Sequence, residues 1–328
     1  MKAVYITQFG GLENLEIREV PDPPSPKANQ VRVRVRAAGL NRADLLQVRG
    51  AYPPPPGYSP NIPGLEYAGE VAAIGDDVKT WSVGDRVFGI AAGEAQAEFL
   101  LTDQSLLAPI HADLGFAEVA AVPEAFITAH DAIFTLGDLK QSETLLIHAV
   151  GSGVGLAALQ LAKAKGSFVI GTSRTSDKLD QCRKFGLDEA IATGEKIDFA
   201  ENVKELTNGK GVDVILDLVG AAYFQQNLAS MAVKGRLVLV GLTSGAKAEF
   251  NLGMALQKRL RIIGTVLRSR TSEEKAEAVT KFADEVIPLF ENGSVKPNLD
   301  RVYSFVEVQE AYKYLESNRS FGKVVLEF

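Results

Sequence analysis

The residues best suited to chemistry lie between Leu145 and Lys178, in the stretch LLIHAVGSGVGLAALQLAKAKGSFVIGTSRTSDK. Gly151, Gly153 and Gly155 alternate with Ser152 and Val154, directly after a short apolar run, Leu145 to Ile147. A helix-forming segment, Leu156 to Lys165, follows and ends at Gly166. Such a turn lets the backbone approach a pyrophosphate, and the first turn of the next helix offers it unpaired N–H groups and partial positive charge. The spacing departs from G-x-G-x-x-G because position 156 is Leu, and a glycine cluster also serves plain close packing of helix on strand. Context favours a nucleotide: strand, glycine turn, helix and a second apolar strand, Phe168 to Ile170, make one βαβ unit.

The end of that second strand bears on which nucleotide. In nicotinamide-binding folds an acid about 20 residues past the turn bonds the ribose 2′-hydroxyl, and basic residues there accept a 2′-phosphate. Here Ser173 and Arg174 hold the place, with Lys178 one helical turn on. Asp177, the nearby acid, falls within the next helix start, where it helps cap it. Hydroxyl and cationic donors suit a phosphate, so NADPH is favoured over NADH. A solvated basic helix start is the bland alternative.

Metal chemistry is disfavoured by counting. The chain has one cysteine, Cys182, and three scattered histidines, His111, His130 and His148, without HExxH or CxxC spacing. A catalytic zinc is improbable and a four-cysteine zinc impossible; the histidines read as structural, with His148 buried at a strand end. One cysteine also excludes an internal disulfide framework and suits a reducing compartment.

These residues need a frame. At 328 residues the chain exceeds what one core usually serves, so two domains are expected. A net charge of −6 argues against a nucleic-acid surface. The opening MKAVYITQFGG carries no secretory signal pattern, no apolar run reads as long enough to cross a bilayer, and the cytoplasm fits best. The first hundred or so residues read as β-rich: Val31, Val33 and Val35 alternate with Arg32, Arg34 and Arg36, and short apolar runs at 3–6, 67–74 and 86–90 are bounded by turn signals. Between them, Gly50 to Gly64 holds Tyr52, four prolines from Pro53 to Pro56, and Tyr58, a stiff loop of the kind that positions ligands. Pro123 suits the first turn of a helix carrying Phe126, Thr128, His130 and Ile133.

Further on, apolar strands at 212–216, 236–240 and 260–263 alternate with helical segments, which implies a parallel sheet with helices on both faces. Thr271-Ser272-Glu273-Glu274 reads as a capping box opening a helix that Gly293 ends. An amphipathic helix at 308–316 and a strand at 323–328 close the chain, the strand returning to the first domain.

Several segments together resemble the zinc-less medium-chain dehydrogenase/reductases: Ala38-Gly39-Leu40-Asn41-Arg42-Ala43-Asp44, Pro63-Gly64-Leu65-Glu66-Tyr67-Ala68-Gly69, Gly84-Asp85-Arg86-Val87 and Ser152-Gly153-Val154-Gly155. Within these the chain resembles the quinone oxidoreductases that include zeta-crystallin, most closely the stress-inducible NADPH:quinone oxidoreductase branch. The likeness runs through Leu267-Arg268-Ser269-Arg270 to Gly322-Lys323-Val324-Val325-Leu326. It implies an α/β protein with a GroES-like β-rich catalytic domain at residues 1–122, completed by 296–328, a Rossmann doubly wound domain at 123–295, and a homodimer or larger assembly. Zinc-bearing members carry Cys and a His-Glu pair where this chain has Asn41 and Leu65-Glu66.

Carried over by residue, the resemblance places Asn41 and Tyr52 beside the nicotinamide and Thr128 at its carboxamide. Gly153 and Val154 meet the pyrophosphate, with Gly151, Ser152 and Gly155 also counted among the cofactor contacts, and Ser173 and Lys178 hold the 2′-phosphate, with Arg174 beside them. Gly241, Leu242, Val266, Leu267, Ser269 and Asn318 complete the cofactor contacts. Many members have a Tyr near Thr193 that helps bind the adenosine phosphate, and this chain lacks it.

A quinone or enone gains negative charge on oxygen as it is reduced, and a hydroxyl or amide donor would stabilise that charge. Asn41, Tyr52 and Thr128 are the catalytic candidates. Tyr52 could instead stack on its prolines, Asn41 cap a turn, and Thr128 merely fill; Asp44 reads as a cap or orienter, with nothing in the sequence to suggest a raised pKa. The expected activity is metal-free, NADPH-dependent reduction of a small quinone or conjugated carbonyl in an inter-domain cleft. The alternatives are a 2-alkenal or enoyl-thioester reductase, and a non-catalytic, crystallin-like NADPH-binding protein.

Overall fold

The computed structural model describes residues 1–110, 114–194 and 198–328. His111 lies outside them. Contacts divide the chain into two compact units: Met1–Ile127 with Leu267–Glu291 and Lys296–Phe328, and Thr128–Val266 with Asn292–Val295.

The first unit is built on a seven-stranded sheet whose centre is the long strand Gln30–Leu40. The valine-arginine alternation is visible in its burial: Val31, Val33 and Val35 are sealed in the core, while Arg32, Arg34 and Arg36 lie on the other face. It pairs antiparallel with Glu66–Ile74 on one side and with the last strand, Lys323–Glu327, on the other. The last strand thus joins a sheet whose central strand, Gln30–Leu40, comes from far earlier in the chain. Helix Val308–Glu316 buries Val308, Ala311, Tyr312 and Leu315 against the same core. No strand forms between Gly50 and Gly64, as the prolines dictate.

The helix at Ser272–Glu291 opens on a reciprocal capping box: Thr271 N–H donates to Glu274 at 2.9 Å, and Glu274 N–H to Thr271 Oγ1 at 3.2 Å. Gly293, at φ 74°, follows its end. The boundary at 295 drawn from the sequence places this helix in the nucleotide domain, but its contacts place it in the first unit. Phe282 meets Phe88 edge-on at 6.1 Å, and Phe290 meets Phe126 at 4.9 Å.

The second unit holds six parallel strands in the order Glu189–Ala192, Phe168–Ser173, Thr144–Ile147, Val212–Asp217, Met231–Leu239, Arg261–Gly264. In chain order this is 3-2-1-4-5-6, the Rossmann arrangement. Its crossing point lies between Thr144–Ile147 and Val212–Asp217, and the glycine turn follows the first of these. Core residues such as Leu146, Ile170, Val212, Ile215 and Leu237 are almost fully buried, as strands covered on both faces require.

Among the described residues, the 21-residue stretch Phe116–Leu136 is long and apolar enough by length and composition to cross a membrane. Its window is 72% buried inside the protein, which is the behaviour of a core segment, and it carries three acids, Glu118, Glu124 and Asp131. Helix Pro123–His130 continues there as a π-helical segment, Asp131–Leu136.

Candidate active site

In the first unit, strand Gln30–Leu40 delivers the chain to Asn41, where helix Arg42–Val48 begins. Asn41 sits at the cap position, but its side chain is not the cap. Asp44 secures the start instead, accepting the Asn41 N–H at 2.7 Å and the Gly64 N–H at 3.3 Å. The Asn41 amide is held elsewhere: Nδ2 donates to Glu66 Oε1 at 2.8 Å, and Oδ1 accepts from Lys323 Nζ at 2.7 Å. Lys323 arrives because its neighbour Val324 is registered against Leu40. Its ammonium also donates to Leu40 O at 2.7 Å and lies 2.5 Å from Glu66 Oε1. Glu66 then reaches the first turn of the Pro123 helix, where Oε2 accepts the Glu124 N–H at 2.8 Å.

Packing these groups together alters their proton affinities. Burial pushes the Asp44 carboxyl up to about 6, against its bonds to Asn41 and the nearby Lys323 and Arg268. Asp44 is therefore the orienter the sequence suggests, yet its pKa is raised, which the sequence does not show. Burial, and then the charge of Glu66, push the Glu124 carboxyl up to about 8. Burial likewise raises Tyr52, with Glu124 adding to the effect, so the phenol stays protonated at neutral pH.

Tyr52 has a partner beyond its own loop. The Arg268 guanidinium lies over its ring, 4.9 Å from the centroid, and donates to its carbonyl at 2.9 Å. Arg268 also donates to Ala92 O at 2.7 Å and Gln47 Oε1 at 2.6 Å, so one buried cation ties together the stiff loop, helix Arg42–Val48 and the Leu267–Arg270 segment.

In the second unit, Ser152 caps the 12-residue helix Gly153–Ala164, its Oγ accepting the Gly155 N–H at 3.2 Å. The first-turn amides of Gly153 and Val154 have no helical carbonyl to bond, and they are available to an anion. Gly155 serves the packing instead. A Cβ there would lie 2.6 Å from Ala149 O and 2.7 Å from Val150 O, so helix and strand close only on glycine. Gly151 is buried in the same turn.

Strand Phe168–Ser173 ends at buried Ser173, followed by exposed Arg174 and, in the first turn of helix Ser176–Arg183, half-buried Lys178. Asp177 occupies that turn, whose N-cap residue, Thr175, makes no side-chain capping bond. Thr193 is turned inward: its Oγ1 bonds Tyr223 OH at 2.9 Å and Ser173 O at 3.3 Å.

The remaining assigned residues are dispersed. Gly241 packs so closely on Leu218 that a Cβ would meet its carbonyl at 2.7 Å. Leu242 is 54% exposed and lines an apolar pocket with Gly220, Phe224 and Phe250, and Val266 is 46% exposed. Leu267 (buried), Ser269 (exposed) and Asn318 belong to the first unit, and Asn318 accepts a bond from Arg42. Thr128 is the informative one. Its Oγ1 is buried with no hydrogen-bond partner among the described residues, and a ligand amide would satisfy it. With the free first-turn amides, this makes the residues present a fit for a dinucleotide.

Four features are not apparent from the sequence: Lys323 as the hub of the Asn41 network, Glu124, Arg268, and a polar chain in the second unit. There His148 Nδ1 bonds Thr172 Oγ1 at 2.9 Å and Nε2 bonds Asn227 Oδ1 at 2.6 Å, while Asn227 donates to Asp217 at 2.9 Å. The one local sign of Lys323 is a charge at the head of an apolar strand. Among the described residues, no group of three or more His, Cys, Asp or Glu side chains stands together to hold a metal.

Two family models match the chain: an alcohol dehydrogenase GroES-like domain over residues 27–132 and a zinc-binding dehydrogenase domain over 153–285. Their order defines a medium-chain dehydrogenase/reductase, whose Rossmann unit binds a nicotinamide cofactor. A quinone oxidoreductase of Pseudomonas aeruginosa is 35% identical over 331 residues, covering 99% of each chain. The structure of a quinone oxidoreductase from Pseudomonas syringae pv. tomato matches with a TM-score of 0.90 at 31% identity, covering 100% of this chain and 99% of that one. A mycobacterial protein solved in complex with NADPH matches with a TM-score of 0.90 at 29% identity, covering all of both chains. The chain belongs to the quinone oxidoreductase family, within the zinc-less medium-chain dehydrogenases/reductases.

Proposed function

We propose that this protein is an NADPH-dependent reductase of quinones and related conjugated carbonyls. The observation that carries the substrate class is full-length kinship, at 35% identity, with an enzyme of that activity. When bound, the reduced nicotinamide supplies the hydride. The chain's own residues supply donors for the oxygen that gains charge: the Tyr52 phenol, kept protonated by burial and braced by Arg268, and the one Asn41 N–H not given to Glu66. Thr128 Oγ1 meets the carboxamide, and the Gly153 and Val154 amides meet the pyrophosphate. Ser173, Arg174 and Lys178 hold the 2′-phosphate and select NADPH, a role supported by their hydroxyl and basic groups at the end of the second strand. The working form is a cytoplasmic homodimer.

The test follows NADPH consumption against ortho-quinones, para-quinones, 2-alkenals and an enoyl thioester. Rapid turnover of quinones is expected; turnover of enals or the thioester alone would replace the substrate assignment, and binding without turnover would make the protein non-catalytic. For the cofactor, Ser173→Ala with Lys178→Ala should weaken NADPH by about tenfold or more while leaving NADH nearly unchanged. Equal loss for both would overturn the 2′-phosphate assignment.

A further inference from the structure

The Asn41 amide is bound at both ends by charged groups. Its oxygen accepts from the Lys323 ammonium at 2.7 Å, and its nitrogen donates to the Glu66 carboxylate at 2.8 Å. Turning the amide over would set its NH2 against a cation and its oxygen against an anion. The charges therefore fix which end is which, and the second N–H of Asn41 keeps one direction. A cation on the amide oxygen also draws electrons from the nitrogen, making that N–H a stronger donor.

The energetic cost of this arrangement indicates that it does more than hold the sheet. Lys323 is 4% exposed at the head of a strand whose next three residues, Val324, Val325 and Leu326, are fully buried. An apolar residue there would avoid burying an ammonium. Its three N–H groups are directed at Leu40 O, Asn41 Oδ1 and Glu66 Oε1. One reaches Asn41 itself, one the carbonyl of the residue before it, and one the carboxylate that accepts from Asn41 Nδ2.

We propose that Lys323 is a positioning residue for the reduction: clamped with Glu66, it locks the Asn41 amide so that an N–H, and never the carbonyl, faces the oxygen being reduced. The proposal rests on the reading of Asn41 as that donor, so the two are tested together. Lys323→Met and Asn41→Ala should each lower kcat for a para-quinone by about 10²-fold, the effect of losing one such donor, with KM changed by less than about twofold. The double variant should be no slower than Asn41→Ala alone. Glu66→Gln/Lys323→Met removes both charges; it should melt near the wild-type temperature and still turn over slowly.

Wild-type turnover by Asn41→Ala would overturn the donor reading and the proposal with it. A slow Asn41→Ala beside a fast Lys323→Met, or a fast neutral pair, would overturn the positioning role alone. So would losses that multiply in the double variant. Should Lys323→Met fail to fold, the neutral pair decides, and its own failure to fold would make the lysine structural.

Discussion

Each unit buries a polar network, and the two are built on opposite principles. In the first, Asp44, Glu66 and Glu124 are packed among Lys323 and Arg268, so formal charge sits in the core and the Asp44 and Glu124 pKa values climb. In the second, His148 is joined to Thr172 and Asn227, and Asn227 to Asp217, whose other oxygen accepts the Val219 and Gly220 N–H groups at 2.7 and 2.9 Å. There a single carboxylate is spread over a chain of neutral donors, and burial lowers the His148 pKa so that the ring stays neutral. A satisfied neutral chain rigidifies a sheet; a crowded charged cluster keeps protons and donors in reserve. The contrast separates scaffold from chemistry.

The largest effect expected from probing this contrast is in the scaffold. Gly155→Val puts carbon atoms against the Ala149 and Val150 carbonyls, and should cost at least ~3 kcal/mol in denaturant titrations and abolish NADPH binding. A near-native variant would show that the turn tolerates a side chain.

Next comes Asn227→Leu, which strands Asp217 and His148 together. A loss of about 2–3 kcal/mol is expected, with kcat for the quinone changed little in the folded fraction. A large kcat loss at full stability would mean that the second network belongs to the chemistry after all.

The smallest effect, and the sharpest discriminator, is the sign of the pH dependence. Glu124 is raised from 4.5 to about 8, so between those values the folded protein holds a proton that the unfolded chain has released, and stability falls as pH rises. His148 is lowered from 6.5, so the unfolded chain takes up a proton first and stability falls as pH drops below that value. Glu124→Gln should remove only the first dependence, flattening the fall in stability between pH 5 and 8. Unfolding curves identical in slope to wild type over that range would show that Glu124 is ionised in the fold.

How much of this is legible in the chain depends on distance along it. The βαβ unit, the capping box at Thr271, the valine alternation of Gln30–Leu40 and the stiff loop after Gly50 are all written within a few residues of themselves. The cofactor turn is equally local, though the separate roles of Gly153 and Gly155 emerge only from the closeness of Ala149 and Val150. Placing Leu267–Glu291 by sequence order misleads, because Phe282 and Phe290 choose their partners by packing, not by proximity in the chain.

By itself, the sequence determined the alternation of elements and the glycine turn, since periodicity and capping act over one or two turns. Only the tertiary structure decided what the residues on those elements would become. Lys323 meets Asn41 across 282 positions because strand Lys323–Glu327 pairs in one register with Gln30–Leu40, and Glu66 comes to both from the strand on the other side. A one-residue slip would turn the lysine to the opposite face of the sheet. Charge, proton affinity and donor direction in this site are consequences of that register, and no local pattern encodes them.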